Sequence, residues 1–173
     1  GLISISEGEI EIFGERLKGN EKSIYTRIGS IIETPSFYSY LTGTENLEIF
    51  SRLRGTIKKN AVKSALEVVG LPYKDKKPFV SYSLGMKQRL GIANAIMNDP
   101  EILILDEPTN HLDIEHQLHL MDLVKDLPIT IVAALHDLNL AAAYCDELIV
   151  MNNGTLHIHG SPENVLTTPM LKE

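Results

Sequence analysis

The sequence predicts an α/β fold built on a parallel sheet, and three observations predict it. Ile102 to Leu105 is a run of four branched apolar residues without alternation, the pattern of a strand covered on both faces. Asp106 and Glu107 follow at its carboxyl end, where open α/β sheets place their ligands. Two further apolar runs, Ile28 to Ile32 and Ile129 to Leu135, are separated from it by stretches with helical spacing. At 173 residues, 43% apolar and 23% charged, the chain has the size and composition of one globular domain.

The formal charge of −7 argues against nucleic acid or an anionic lipid surface as the primary partner. No apolar run approaches the roughly eighteen residues of a membrane span, and the first residues do not read as a secretory signal. Cys145 is the single cysteine, which excludes an internal disulfide and suits a reducing compartment. Its place in the run Leu140 to Cys145 predicts a buried structural thiol.

Taken in order, Ile10 and Ile12 alternate with Glu9 and Glu11 after a Glu7-Gly8 turn, the period of a half-exposed strand. Ile28 to Ile32 is the next strand, broken by Glu33-Thr34-Pro35. From Tyr38 to Ser81 the pattern turns helical. Thr42 and Glu45 form a capping box for a helix carrying Leu47, Phe50 and Leu53. Val62, Ala65, Leu66 and Val69 share one face of a second helix, ended by Gly70 before Leu71-Pro72. Lys74, Lys76 and Lys77 read as a solvated loop. A third helix runs from about Met86 to Met97, with Leu90, Ala93, Ile96 and Met97 on one side, and Asn98-Asp99-Pro100 stops it.

After the Ile102–Leu105 strand, Pro108 and Thr109 lead to Asn110–Asp113 and a helix from Ile114 with Leu118, Met121 and Val124 on one face. Ile129 to Leu135 reads as a buried strand with His136 at its carboxyl end. Glu147 to Met151 and Thr155 to Ile158 read as a hairpin about the Asn152-Asn153-Gly154 turn. Ser161 and Pro162 then open a short helix as N-cap and first residue. His111, His116 and His119 lie along a loop and helix with no cysteine beside them, and they read as solvated rather than metal-ligating.

The residues at the strand ends carry the chemistry. A carboxylate at Asp106 can hold a hydrated Mg²⁺, and Glu107 beside it can orient or deprotonate a water. Taken alone, this pair fits a solvated acidic turn equally well. The context is more specific. Ser83-Leu84-Gly85-Met86-Lys87-Gln88-Arg89, Ile102 to Glu107 and Asn110 to Asp113 stand in order and at the spacing of the signature motif, Walker B strand and D-loop of ATP-binding-cassette (ABC) ATPases, which the chain resembles over essentially its whole length. Residues up to about Glu107, "IGSIIETPSFYSYLTGTENL" above all, are similar to bacitracin and lantibiotic exporter subunits. His136 to Leu171 is similar to iron-siderophore and cobalamin importer subunits.

The resemblance implies a P-loop NTPase (RecA-like) mixed sheet with an inserted helical subdomain. Residues 1–35 and 99–173 would form the RecA-like core, and 36–98 the helical subdomain with the signature motif. It implies ATP and Mg²⁺ as ligands, with Asp106 holding the metal through water, Glu107 as general base and His136 as γ-phosphate sensor. Glu33 takes the place of the usual Q-loop glutamine near Mg²⁺ and water. Ser83, Gly85 and Asp113 would act on the nucleotide of a second ABC ATPase domain paired head to tail. Leu84 replaces a usual glycine; a left-handed backbone there would cost about 1–2 kcal/mol. The further partner implied is an integral membrane permease, met by Phe37, Tyr38 or Tyr40, at the cytoplasmic face of the cell membrane.

The phosphate-binding motif G-x-x-x-x-G-K-[ST] does not occur in these residues, and the reading expects it upstream of Gly1. Two competitors stand beside a transporter ATPase: a non-catalytic docking module that lacks the phosphate loop, and a soluble ABC ATPase not linked to transport.

Overall fold

The computed structural model describes residues 7–17, 22–32, 36–55 and 58–167. Glu11–Ile12 (β1) and Glu15–Arg16 (β2) pair as a small hairpin, and Phe13 and Gly14 at its tip both adopt positive φ. A short helix, Lys22–Tyr25 (α1), leads into Ile28–Ile32 (β3). Arg27, just before β3, places its guanidinium over the Phe13 ring and pairs with both oxygens of Glu101 at 2.5 and 2.9 Å. The hairpin, β3 and the strand after Glu101 are thereby joined at one corner.

Three helices follow. Gly43–Arg54 (α2) begins at the predicted capping box: Thr42 Oγ1 accepts the Glu45 N–H at 3.2 Å, and Glu45 accepts the Thr42 N–H at 2.8 Å. Leu47 is buried and Phe50 half-buried, but Leu53 faces solvent, because the inward stripe narrows towards the helix end. Ala61–Val68 (α3) buries Ala65 and Leu66 and stops at Gly70, which holds φ +66°. Leu84–Ile96 (α4) starts two residues before its expected beginning, because Ser83 is its N-cap and accepts the Met86 N–H. Buried residues lie all round α4, from Gln88 through Leu90, Ile92 and Ala95. Phe37 packs edge-on against Phe50 and Phe79, whereas Tyr38 and Tyr40 are exposed.

Ile102–Asp106 (β4) lies between β3 and Thr130–Ala134 (β5) in a parallel sheet of order β3-β4-β5. The register aligns Ile32, Asp106 and Ala134 at the carboxyl edge. Gly29 is needed in β3: a Cβ there would meet the Ala95 carbonyl oxygen of α4 at 2.5 Å. Ile114–Lys125 (α5) connects β4 to β5 and buries Leu120, Met121 and Val124. Leu118, expected on this face, is exposed, since the stripe runs through 120, 121 and 124 and leaves 118 beyond its edge.

The two runs expected to be buried, Ile102 to Leu105 and Ile129 to Leu135, depart from that expectation. Leu103 and Leu105 are buried against the helices, but Ile104 is 37% exposed and Val132 54%. Successive strand residues point to opposite faces, and the described helices cover only one of them. Among the described residues β5 is moreover an edge strand. Its residues alternate between exposed and partly buried, so it is not the buried strand predicted.

Leu138–Tyr144 (α6), capped by Asp137, precedes a hairpin of Leu148–Asn152 (β6) and Thr155–Gly160 (β7). Asn153 and Gly154 turn it, both at positive φ as expected for this turn. Pro162–Val165 (α7) starts on Ser161 as predicted. Among the described residues the sheets are thus one parallel and two antiparallel. One apolar core runs from Leu47 and Leu66 through Leu90 to Leu103 and Leu120, joining the helices to the parallel sheet. A smaller one gathers Ala141, Leu148 and Val165. No helix among the described residues is long and apolar enough to cross a membrane.

Candidate functional site

The site forms where β4 and β5 end. Asp106 is the last residue of β4 and is exposed. Glu107 follows with φ +47°, a left-handed backbone that costs a non-glycine residue on the order of 1–3 kcal/mol. Its N–H donates to the Ala134 carbonyl at 3.2 Å, which keeps it attached to the sheet edge. The turn sends the Glu107 side chain between two partners. Nε2 of His136, two residues beyond β5, meets one carboxylate oxygen, and the Asn110 amide donates to the other. The predicted pair Glu107 and His136 is therefore brought into direct contact.

Asn110 is a functional candidate that the sequence reading placed in a loop without a role. The available signal was local: it stands three residues after Glu107 behind Pro108, and its N–H also bonds the Glu107 carbonyl at 3.1 Å. A carboxylate gripped on both oxygens is held in one orientation, which suits a group that must aim at a water.

A second cluster gathers the other predicted residues. Gly85, the second residue of α4, is buried, and Ser83 caps the helix while keeping its O–H as a donor. Leu84 is helical and packs against the main core, so the left-handed conformation and its cost do not arise. Asp113 caps α5, accepting the His116 N–H at 2.9 Å and facing His116 Nδ1 at 2.7 Å. Those contacts, the backbone N–H first and the ring second, hold the Asp113 carboxyl below its ordinary range. The loop between the clusters is tied down by Gln117, whose amide donates to the carbonyls of Thr109 and Leu112 at 3.3 and 3.0 Å. Glu33 lies outside the described residues.

The donor set bears on a metal. Among the described residues no group of three or more His, Cys, Asp or Glu side chains converges to hold an ion alone; His116, expected to be solvated, instead contacts Asp113 and lies against Gly85. Asp106 instead fits Mg²⁺, which usually keeps several waters and takes one or two carboxylates plus substrate phosphates. A cleft of about 810 Å³ opens at the opposite end of the sheet, lined by Ala61, Val68, Met97 and Ile129. It lies away from the carboxyl ends of the strands, where ligands of this architecture bind. Cys145 is partly buried, and desolvation pushes its thiol up, as for a structural cysteine.

Comparison with known proteins bears on the family and the fold. The model of the family described as ABC transporter matches residues 1–110. The bacitracin transport ATP-binding protein BcrA of Enterococcus faecalis is 48% identical over 155 residues, covering 87% of this chain and 50% of its own length. That similarity therefore continues well past Glu107. The lantibiotic transport ATP-binding protein SrtF of Streptococcus pyogenes is 37% identical over 142 residues, covering 80% of this chain and 60% of its own. The chain thus spans about half the length of the bacitracin relative. Among solved structures, cbiO1 of Clostridium perfringens, part of the ABC transporter complex cbiONQ, superposes with a TM-score of 0.84 at 28% identity, over 99% of this chain and 72% of that one. A dimeric ATP-binding cassette bound to ADP and Pi gives 0.77 at 23% identity, over 93% and 76%, and supports the fold alone. By its matched family model, its relatives and its fold, the chain belongs to the ABC transporter family, as part of the ATPase domain.

Proposed function

We propose that this chain forms the hydrolytic part of the ATP-binding subunit of an ABC transporter. The observation that carries the reading is the Glu107 carboxylate at the end of β4, held between His136 and Asn110. In this reading Glu107 accepts the proton of the attacking water, and His136 contacts the γ-phosphate. Asp106 would hold Mg²⁺ through water, with Glu33 near it; the ion, when bound, neutralises charge on the phosphate oxygens. Ser83 and Gly85 present the N-terminus of α4 to the nucleotide of a second such domain paired head to tail, since that helix end favours an anion. Asp113 lies at the same interface.

Residues 1–35 and 99–173 would act as the nucleotide-binding core and 36–98 as the helical subdomain that meets a membrane permease. The exposed Tyr38 and Tyr40 would lie on that side. The subunit would work at the cytoplasmic face of the membrane, and the relatives named for bacitracin and lantibiotic transport favour a peptide antibiotic as cargo. The test is steady-state ATP hydrolysis by the full-length protein. Glu107→Gln should lower kcat by about a hundredfold or more, the scale of a lost general base, while nucleotide binding persists. Retained hydrolysis in that variant removes Glu107 from its role. No hydrolysis in the unmodified full-length protein favours the non-catalytic docking module.

A further inference from the structure

Gly85 and Asp113 belong to different elements, and one side chain lies between them. A Cβ placed on Gly85 would stand 2.9 Å from Cδ2 of His116, closer than such atoms approach. The imidazole is thus seated directly on the backbone of the second residue of α4. On its other side, Nδ1 lies 2.7 Å from Asp113 Oδ1. A carboxylate only accepts, so Nδ1 carries the hydrogen of this contact. The ring therefore bridges the helix end that carries Ser83 and Gly85 to the carboxylate that opens α5.

The neighbouring residue completes the arrangement. Gln117 holds the carbonyls of Thr109 and Leu112, so the first turn of α5 grips the loop after Glu107 with one side chain and α4 with the next. Yet the His116 side chain is 47% exposed. A contact made mainly for packing would be buried, because its stabilisation scales with the apolar area removed from water. What this contact supplies is relative placement.

We propose that His116 is a positioning residue, which locks the N-terminus of α4 to Asp113 so that both present one rigid face to a paired domain. The proposal rests on the head-to-tail pairing above and adds to it a residue and a reason for the glycine. Gly85 is required by the ring of its own chain as well as by any phosphate opposite it. A methyl at 85 displaces the imidazole, and displacing the imidazole breaks its bond to Asp113. Gly85→Ala and His116→Ala then remove the same link.

The test uses the full-length protein carrying Glu107→Gln, in which ATP should accumulate the closed dimer, followed by sedimentation velocity. His116→Ala should weaken ATP-induced dimerisation by roughly five- to tenfold and Gly85→Ala by at least as much, and the double variant should be no worse than Gly85→Ala alone, the signature of two changes on one coupled unit. Binding of ATP to the monomer should be unchanged by His116→Ala, which separates lost placement from a damaged fold. Dimerisation of His116→Ala at the unmodified level overturns the proposal, as do losses that multiply in the double variant. A parent protein that does not pair with ATP overturns the head-to-tail reading and the role at an interface. In that event the thermal midpoints of the three variants decide the lock itself: non-additive shifts support it and additive shifts overturn it.

Discussion

Asn46 is fully buried on α2, and its amide is spent on the loop before the helix. Its Oδ1 accepts the Tyr38 N–H at 2.8 Å, and its Nδ2 donates to the carbonyls of Tyr38 and Thr42 at 3.1 and 3.0 Å. Asn46→Ala leaves the Tyr38 N–H without a partner, while the Tyr38 and Thr42 carbonyls keep the N–H groups of Leu41 and residue 46; it should cost about 1–3 kcal/mol, read as a lower urea midpoint. Such a role was not legible in the sequence, where an asparagine inside a helix is only a weak helix former. Glu107 and His136 were legible, because each stands at the carboxyl end of a recognisable strand. Their contact through a left-handed Glu107 was not, since nothing in a Glu-Pro pair announces positive φ. The seating of His116 on Gly85 was equally hidden: it joins two helices whose facing positions depend on packing.

The elements themselves were mostly legible because their ends are written in local chemistry. Thr42 and Glu45, Gly70, and Asn153-Gly154 all act through the local backbone, and Pro162 fixes the first residue of α7 although the Ser161 hydroxyl meets the Asn164 amide rather than a backbone N–H. Thr42→Ala should cost the cap about 1 kcal/mol, visible in thermal unfolding. The backbone N–H of Thr42, and then its hydroxyl, hold Glu45 below its ordinary range. A folded pKa below the unfolded one gives stability that is full above the unfolded value, about 4.3, and is lost as pH falls through the folded one. The stability difference between the unmodified protein and Glu45→Ala should therefore be constant near neutrality and shrink below about pH 4. Faces were less legible than ends. Leu118 and Leu53 are apolar residues at plausible spacing, and only the position of the neighbouring element decides which stripe turns inward.

At the scale of the described residues as a whole, the parallel sheet is packed on one side. Leu103 and Leu105 point into the core and Ile104 and Val132 away from it, although all four look alike in the sequence. This is why the fold class was legible and the burial was not: a branched apolar run is the same whether its second face is covered or open. Val132→Thr should leave the fold intact and lower the binding of a hydrophobic dye, whereas Leu103→Thr should unfold the chain, because it puts an unpaired hydroxyl into a closed core. Far-UV circular dichroism and dye fluorescence on the two variants check this. The left-handed Glu107 ties function to the molecule's tolerance of change. An asparagine or glycine occupies that backbone at lower cost, so a laboratory selection for heat resistance alone would reward replacing the carboxylate proposed as the base. Evolution under such a regime would drift towards hardier, silent proteins, and a screen meant to keep activity must therefore score turnover and endurance together.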